Sequence, residues 1–123
     1  MSTVKSRSAP SPPLPWLSSV ERDALRDFSA ALRSRYGSRI LRLVLFGSRA
    51  RGEGHEESDV DVAVILAEED LVLRRDIYDL ATEIRLETEI SVSPLILSEG
   101  ELARLRTMGR GIAAALDAEG VIL

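Results

Sequence analysis

A chain of 123 residues holds one domain of ordinary size, and its composition removes several chemistries at once. Without cysteine there is no disulfide framework, thiolate nucleophile or sulfur-built zinc site, and with one lysine (Lys5) and one histidine (His55) a P-loop lysine, a Schiff base and a multi-histidine metal centre are excluded too. What remains is twenty Asp and Glu against fifteen Arg and that lysine, net −4; from Trp16 onwards fourteen arginines face all twenty acids, a charge of −6, which argues against direct binding to nucleic-acid phosphates.

Residues 1–15, MSTVKSRSAPSPPLP, hold four of the five prolines. Their small apolar surface cannot offset the entropy of ordering, which predicts a disordered or extended arm ahead of a domain over 16–123. The N-terminus has no apolar leader, and apolar runs of about eight residues are too short for a bilayer. With the missing cysteines, this places the expected location in the cytoplasm.

Ser18 and Glu21 stand in capping-box spacing. Val20, Ala24, Leu25, Phe28, Ala31 and Leu32 then recur at the helical period, and Gly37 is the expected left-handed stop. Trp16 and Leu17 form a hydrophobic start to that helix. Ile40–Phe46 reads as a strand, Gly47–Ser58 as a polar, glycine-bearing loop, and Val60–Leu66 as a second strand. Leu73, Ile77, Leu80, Ala81 and Ile84 mark a helix over 69–87, with Arg74, Arg75, Asp76 and Asp79 as its wet face. A third strand follows over Ile90–Leu97, with Pro94 suggesting an edge or bulge. Ser98 and Glu101 open a short helix, Gly109 or Gly111 divides it from a last helix ending near Ala118, and an apolar tail closes the chain. The expected class is α/β (α+β), a small mixed sheet flanked by helices.

The chemistry concentrates in GSRARGEGHEESDVD, Gly47 to Asp61. Strand alternation puts Asp59 and Asp61 on one face, their Cα atoms roughly 6.5 Å apart, while Val60, Val62 and Val64 fill the other. Two acids side by side on an apolar strand repel, and burying them unpaired is costly. A divalent cation such as Mg²⁺ removes that cost, because it takes carboxylate oxygens together with substrate phosphates. The Gly47–Ser48 turn complements this: glycine lets a triphosphate approach the backbone, and the Ser48 hydroxyl and neighbouring N–H groups can donate to its oxygens. Arg49 and Arg51 can add bidentate phosphate contacts or pair with Glu53, Glu56 and Glu57. The parts suit metal-assisted attack on a nucleotide's α-phosphate.

The pattern G-S-x10-D-x-D, present as Gly47, Ser48, Asp59 and Asp61, resembles the signature of the minimal nucleotidyltransferases of the DNA polymerase β-like superfamily, of the MntA antitoxin type. The extended form, GSRARG then SDxD, is matched by Gly47–Gly52 and Ser58–Asp61, and Glu119–Leu123 resembles the family's EGVxL ending. The resemblance implies that Gly47, Ser48, Arg49, Arg51 and Ser58 hold the nucleotide's phosphates and that Asp59 and Asp61 hold Mg²⁺. It further implies transfer of AMP from ATP to a tyrosine of a HEPN-domain toxin, AMPylation within a toxin–antitoxin pair. The family usually carries a third carboxylate on the strand after the next helix. The aligned positions here are Ser91 and Ser93; Glu89, of the same parity, is the candidate substitute. The alternative reading is a nucleotidyltransferase-fold binding module, weak or inactive in catalysis, that neutralises or regulates a partner protein. His55, Tyr36 and Tyr78 read as surface or packing residues.

Overall fold

Both Ser-x-x-Glu segments cap helices as expected. In the computed structural model, which describes residues 15–52, 59–109 and 111–123, the Glu21 N–H donates to the Ser18 hydroxyl at 3.0 Å, and the Ser18 N–H donates to the Glu21 carboxylate at 2.7 Å. This exchange opens α1, Ser19–Tyr36. Residues 1–14 of the expected arm, together with His55 and Ser58, lie outside the described residues. Gly37 has the positive φ anticipated, +52°, but its ψ of −125° takes it out of the left-handed helical basin, into one 3-10 turn over Gly37–Arg39.

Strands β1 (Ile40–Phe46) and β2 (Val60–Leu66) follow, then α2 (Leu71–Thr88), β3 (Val92–Ser98), α3 (Glu99–Thr107), α4 (Ile112–Glu119) and β4 (Val121–Ile122). The sheet order is β3-β2-β1-β4. β1 runs antiparallel to both β2 and β4, while β3 runs parallel to β2, which requires the crossover that α2 provides. Pro94 therefore sits on an edge strand, where a missing N–H is tolerated. The α3 cap repeats the α1 exchange, with Ser98 and Glu101 bonded reciprocally at 2.9 and 3.1 Å.

β4 has no counterpart in the sequence reading, because two residues carry no alternation to detect. Its pairing is nonetheless definite: Val44 faces Ile122 and Leu45 faces Val121, and the Leu123 N–H donates to the Leu43 carbonyl at 2.9 Å. Gly120 makes the close approach possible, since an added Cβ would collide with Val44 Cγ1 and the Leu116 carbonyl. Gly120→Ala is accordingly expected to lose about 1–3 kcal/mol of stability, read as a lower urea midpoint at unchanged slope.

Alternation along the strands divides the core between the two faces of the sheet. Leu43, Leu45, Val60, Val62 and Val64 pack on one side with Phe28 and Leu32 of α1 and Leu73 and Ile77 of α2. Val44, Ala63, Ile65 and Leu97 pack on the other with Leu102 of α3 and Ala113 and Leu116 of α4. Asp61 belongs to this second face, one pleat beyond Ala63. The stripe on α2 is less uniform than its charges suggest. Arg75 and Asp79 are exposed, but Asp76 accepts the Tyr36 hydroxyl at 2.6 Å. Arg74 is half-buried and reaches Glu69, Glu101 and the Ile96 carbonyl, because a guanidinium has enough donors and length to bridge three elements. Among the described residues, no helix is long and apolar enough to cross a membrane.

Candidate functional site

The antiparallel register sets Phe46, the last residue of β1, opposite Asp61, the second of β2. The chain then leaves β1 at Gly47, whose φ of +79° is readily adopted by glycine. A Cβ there would run into Oδ2 of Asp61, with the Asp61 Cγ at 3.3 Å. The Gly-Ser turn and the second aspartate of the motif are thus in direct apposition, though 14 positions apart in sequence. Asp59 precedes β2 and is exposed; Asp61 is partly buried; Val60 between them is fully buried on the opposite face. The parallel register places Ser93 beside Asp61, and the Val60 N–H donates to the Ser91 carbonyl at 2.9 Å. The positions flanking the acid pair, Ser93 in β3 and Ser91 just before it, are therefore both serines.

Burial, and then repulsion from Asp59, push the Asp61 carboxyl above its ordinary value. The folded chain consequently holds this proton more tightly than the unfolded chain does. Stability from this group is complete below the ordinary aspartate value and is lost as pH rises through the raised one, so at neutral pH the ionised pair opposes folding. Asp61→Asn is expected to raise the melting temperature of the metal-free protein at neutral pH by about 2 °C, with the gain shrinking as the medium is acidified; thermal melts between roughly pH 4 and 7 check this. Asp59 and Asp61 are neighbouring hard oxygen donors that repel each other, a donor chemistry that fits a divalent cation shared with substrate phosphates. Among the described residues no three His, Cys, Asp or Glu are grouped to hold a metal without such help.

The Gly47–Gly52 segment is a helical turn: the Ala50 N–H donates to the Gly47 carbonyl at 3.1 Å, and the Arg51 N–H to the carbonyls of Gly47 and Ser48 at 3.3 and 3.2 Å. Those two N–H groups are engaged inside the turn. Arg51 is exposed and pairs with Glu119 at the end of α4, 3.0 Å away. Arg49 turns inward. Its side chain is 5% exposed and its Nη2 meets both Glu21 oxygens, at 2.7 and 2.9 Å. Against the phosphate contact expected of Arg49, Nη2 of its guanidinium sits on a buried carboxylate of α1.

Glu89 also departs from its expected place. It is the left-handed C-cap of α2, φ +66°, exposed, and three residues short of β3. The strand opens at Val92 and not at Ile90, so the parity that would have aligned Glu89 with the serines does not apply. Trp16, Glu21 and Glu119 are the contributors that the sequence reading gave no site role. Glu21 showed only its capping signal, and Trp16 only an apolar helix start. Leu17 fills that packing role, while Trp16 stays 41% exposed and donates its indole N–H to the Arg49 carbonyl at 2.6 Å.

The family model described as "Polymerase beta, Nucleotidyltransferase" matches residues 31–114. A relative from Methanocaldococcus jannaschii, provisionally named a protein adenylyltransferase, is 37% identical over 79 residues, spanning 64% of this chain and 75% of its own. A crystal structure of a provisionally assigned nucleotidyltransferase from Sulfolobus solfataricus shares the fold with a TM-score of 0.51 and 19% identity, over 81% of this chain and 76% of that one. A mutant of the toxin–antitoxin MntA–HpeT shares it with a TM-score of 0.50 and 22% identity, over 80% and 70%. Since the family match covers most of the chain and includes both β1–β2 strands with the turn between them, the protein belongs to the polymerase β nucleotidyltransferase family.

Proposed function

We propose that the chain is a Mg²⁺-dependent protein adenylyltransferase, which moves AMP from ATP to a tyrosine hydroxyl of a HEPN-type toxin-like partner and so acts as a cytoplasmic antitoxin. The observation that carries the reading is the apposition of Gly47 and Asp61, which brings the Gly-Ser turn against the acid pair with no room for a side chain between them. The name of the M. jannaschii relative supports protein as the acceptor class, and the MntA–HpeT pair illustrates an assembly of the proposed kind.

Gly47 admits the triphosphate to the backbone, Ser48 donates to its oxygens, and Arg51 offers a charged fork if it exchanges Glu119 for phosphate; Ser58 is assigned to the same group. Asp59 and Asp61 would hold Mg²⁺, which neutralises the phosphate charge that builds up in transfer. The acceptor oxygen bonds to the α-phosphorus, the bond to the bridging oxygen breaks, pyrophosphate leaves, and the hydroxyl proton is released. The test is incubation of the pure chain with labelled ATP, Mg²⁺ and the protein encoded beside it. Label is expected on a partner tyrosine, located by mass spectrometry; nucleotide binding without transfer overturns the reading. Ser91 and Ser93 beside the acid pair favour the second reading, a nucleotide-binding module that restrains its partner by contact alone.

A further inference from the structure

Three contacts tie the Gly47–Gly52 turn to the start of α1. The Trp16 indole N–H bonds the Arg49 carbonyl at 2.6 Å. The Trp16 ring lies 3.4–3.5 Å from where a Cβ on Gly52 would stand, an ordinary packing distance. Arg49 Nη2 meets the carboxylate of Glu21, whose side chain is 1% exposed. The same Glu21 Oε1 also accepts the Ser18 N–H at 2.7 Å, so one carboxylate fixes both the first turn of the helix and the guanidinium of the loop. With Arg49 and Ala50 buried and Gly52 against the indole, Ser48 and Arg51 are left on the outer side.

A buried ion pair adds little net stability, because desolvation takes back most of the attraction. What it supplies is direction: Arg49 can reach Glu21 only if the backbone of the turn follows one course. Trp16 adds the same constraint at the carbonyl of Arg49 itself. We propose that Trp16 and the Glu21–Arg49 pair are positioning residues for the nucleotide, holding the turn in its phosphate-accepting shape before ATP arrives. A turn ordered in advance does not subtract its ordering entropy from binding. The inference rests on the nucleotidyl-transfer reading, and it gives the first helix a part in nucleotide affinity although it contributes no atom to the acid pair.

The test uses the full chain with ATP and Mg²⁺, measuring equilibrium binding by dialysis, steady-state transfer and thermal melting. Trp16→Phe keeps a ring against Gly52 and deletes the donor to Arg49, at a position exposed enough to leave the fold intact. It is expected to raise the KM for ATP and the dissociation constant together by about 5-fold, the equivalent of one hydrogen bond, with kcat and the KM for the acceptor unchanged. Glu21→Gln, which removes the charge and keeps the shape, is expected to raise both by about 10-fold. Wild-type ATP affinity in both variants, with melting temperature alone reduced, overturns the inference and leaves the transfer reading standing. Should Glu21→Gln fail to fold, Trp16→Phe decides by itself. A wild-type chain that binds no ATP with Mg²⁺ removes the transfer reading, and this inference with it.

Discussion

Exchanging Asp59 and Asp61 together for asparagine is expected to slow nucleotidyl transfer by at least about 10³-fold, some 4 kcal/mol of transition-state stabilisation. The substitution keeps the size of both side chains and removes the charge that would hold a divalent cation, so the loss falls on chemistry. Folding moves the other way: Asp61 already titrates high because it is partly buried beside Asp59, and relieving that repulsion favours the folded metal-free chain. Single-turnover label transfer together with melting curves in the presence and absence of Mg²⁺ reads both effects. The wild type is expected to gain stability from the cation, and the double variant none. The same variant separates the two functional readings. A partner still restrained by the asparagine form is restrained by contact; a partner released from restraint depended on modification.

Gly47→Ala is expected to reduce kcat/KM by about 100-fold through geometry alone. Two penalties coincide there. The backbone φ of +79° is one that a Cβ resists by about 1–2 kcal/mol, and the new methyl would occupy the space of Asp61 Oδ2. Either the turn withdraws from the strand or Asp61 rotates away, and both separate the Gly-Ser turn, proposed to accept phosphate, from the acid pair. Gly52→Ala is the control. It shares the φ of +79°, yet its Cβ meets the Trp16 ring at an ordinary 3.4 Å. Its stability loss is expected to match the backbone part of the Gly47 effect while kcat is spared; comparing Mg²⁺ titrations of the two variants isolates the collision with Asp61.

The spacing of glycines, acids and apolar residues made most of this architecture legible before any coordinates. Ser18 with Glu21 and Ser98 with Glu101 announce helix starts because capping is a local exchange between residues three apart. Asp59 and Asp61 declare a shared face because strand alternation is local too. Arg49 could not be read in this way. Its direction depends on Glu21, 28 residues earlier, and no periodicity encodes which of two arginines in a turn faces a helix folded over it. The placing of Glu89 failed for a neighbouring reason. α2 runs on to Thr88, whose hydroxyl donates to the Ile84 carbonyl at 2.7 Å and accepts the Ile90 N–H at 3.1 Å. That local bonding competes with extended structure and delays the strand to Val92. β4 lay below detection by length, and its existence depends on Gly120 fitting against Val44.

The outer edge of β3 limits how an acceptor can be brought to this sheet. Val60 bonds the Ser91 carbonyl, so Ser91 and its alternates face β2, and Val92, Pro94 and Ile96 turn their backbone groups away from it. Of those, Pro94 has no N–H to offer, and the Ile96 carbonyl is already taken by Arg74 at 2.9 Å. A visiting peptide laid along β3 would find its ladder broken at the centre and at the far end. Strand addition, the common route by which a sheet edge captures an extended segment, is thereby closed on this side, and under the proposed function an acceptor protein approaching from the β3 side would dock through side-chain surfaces.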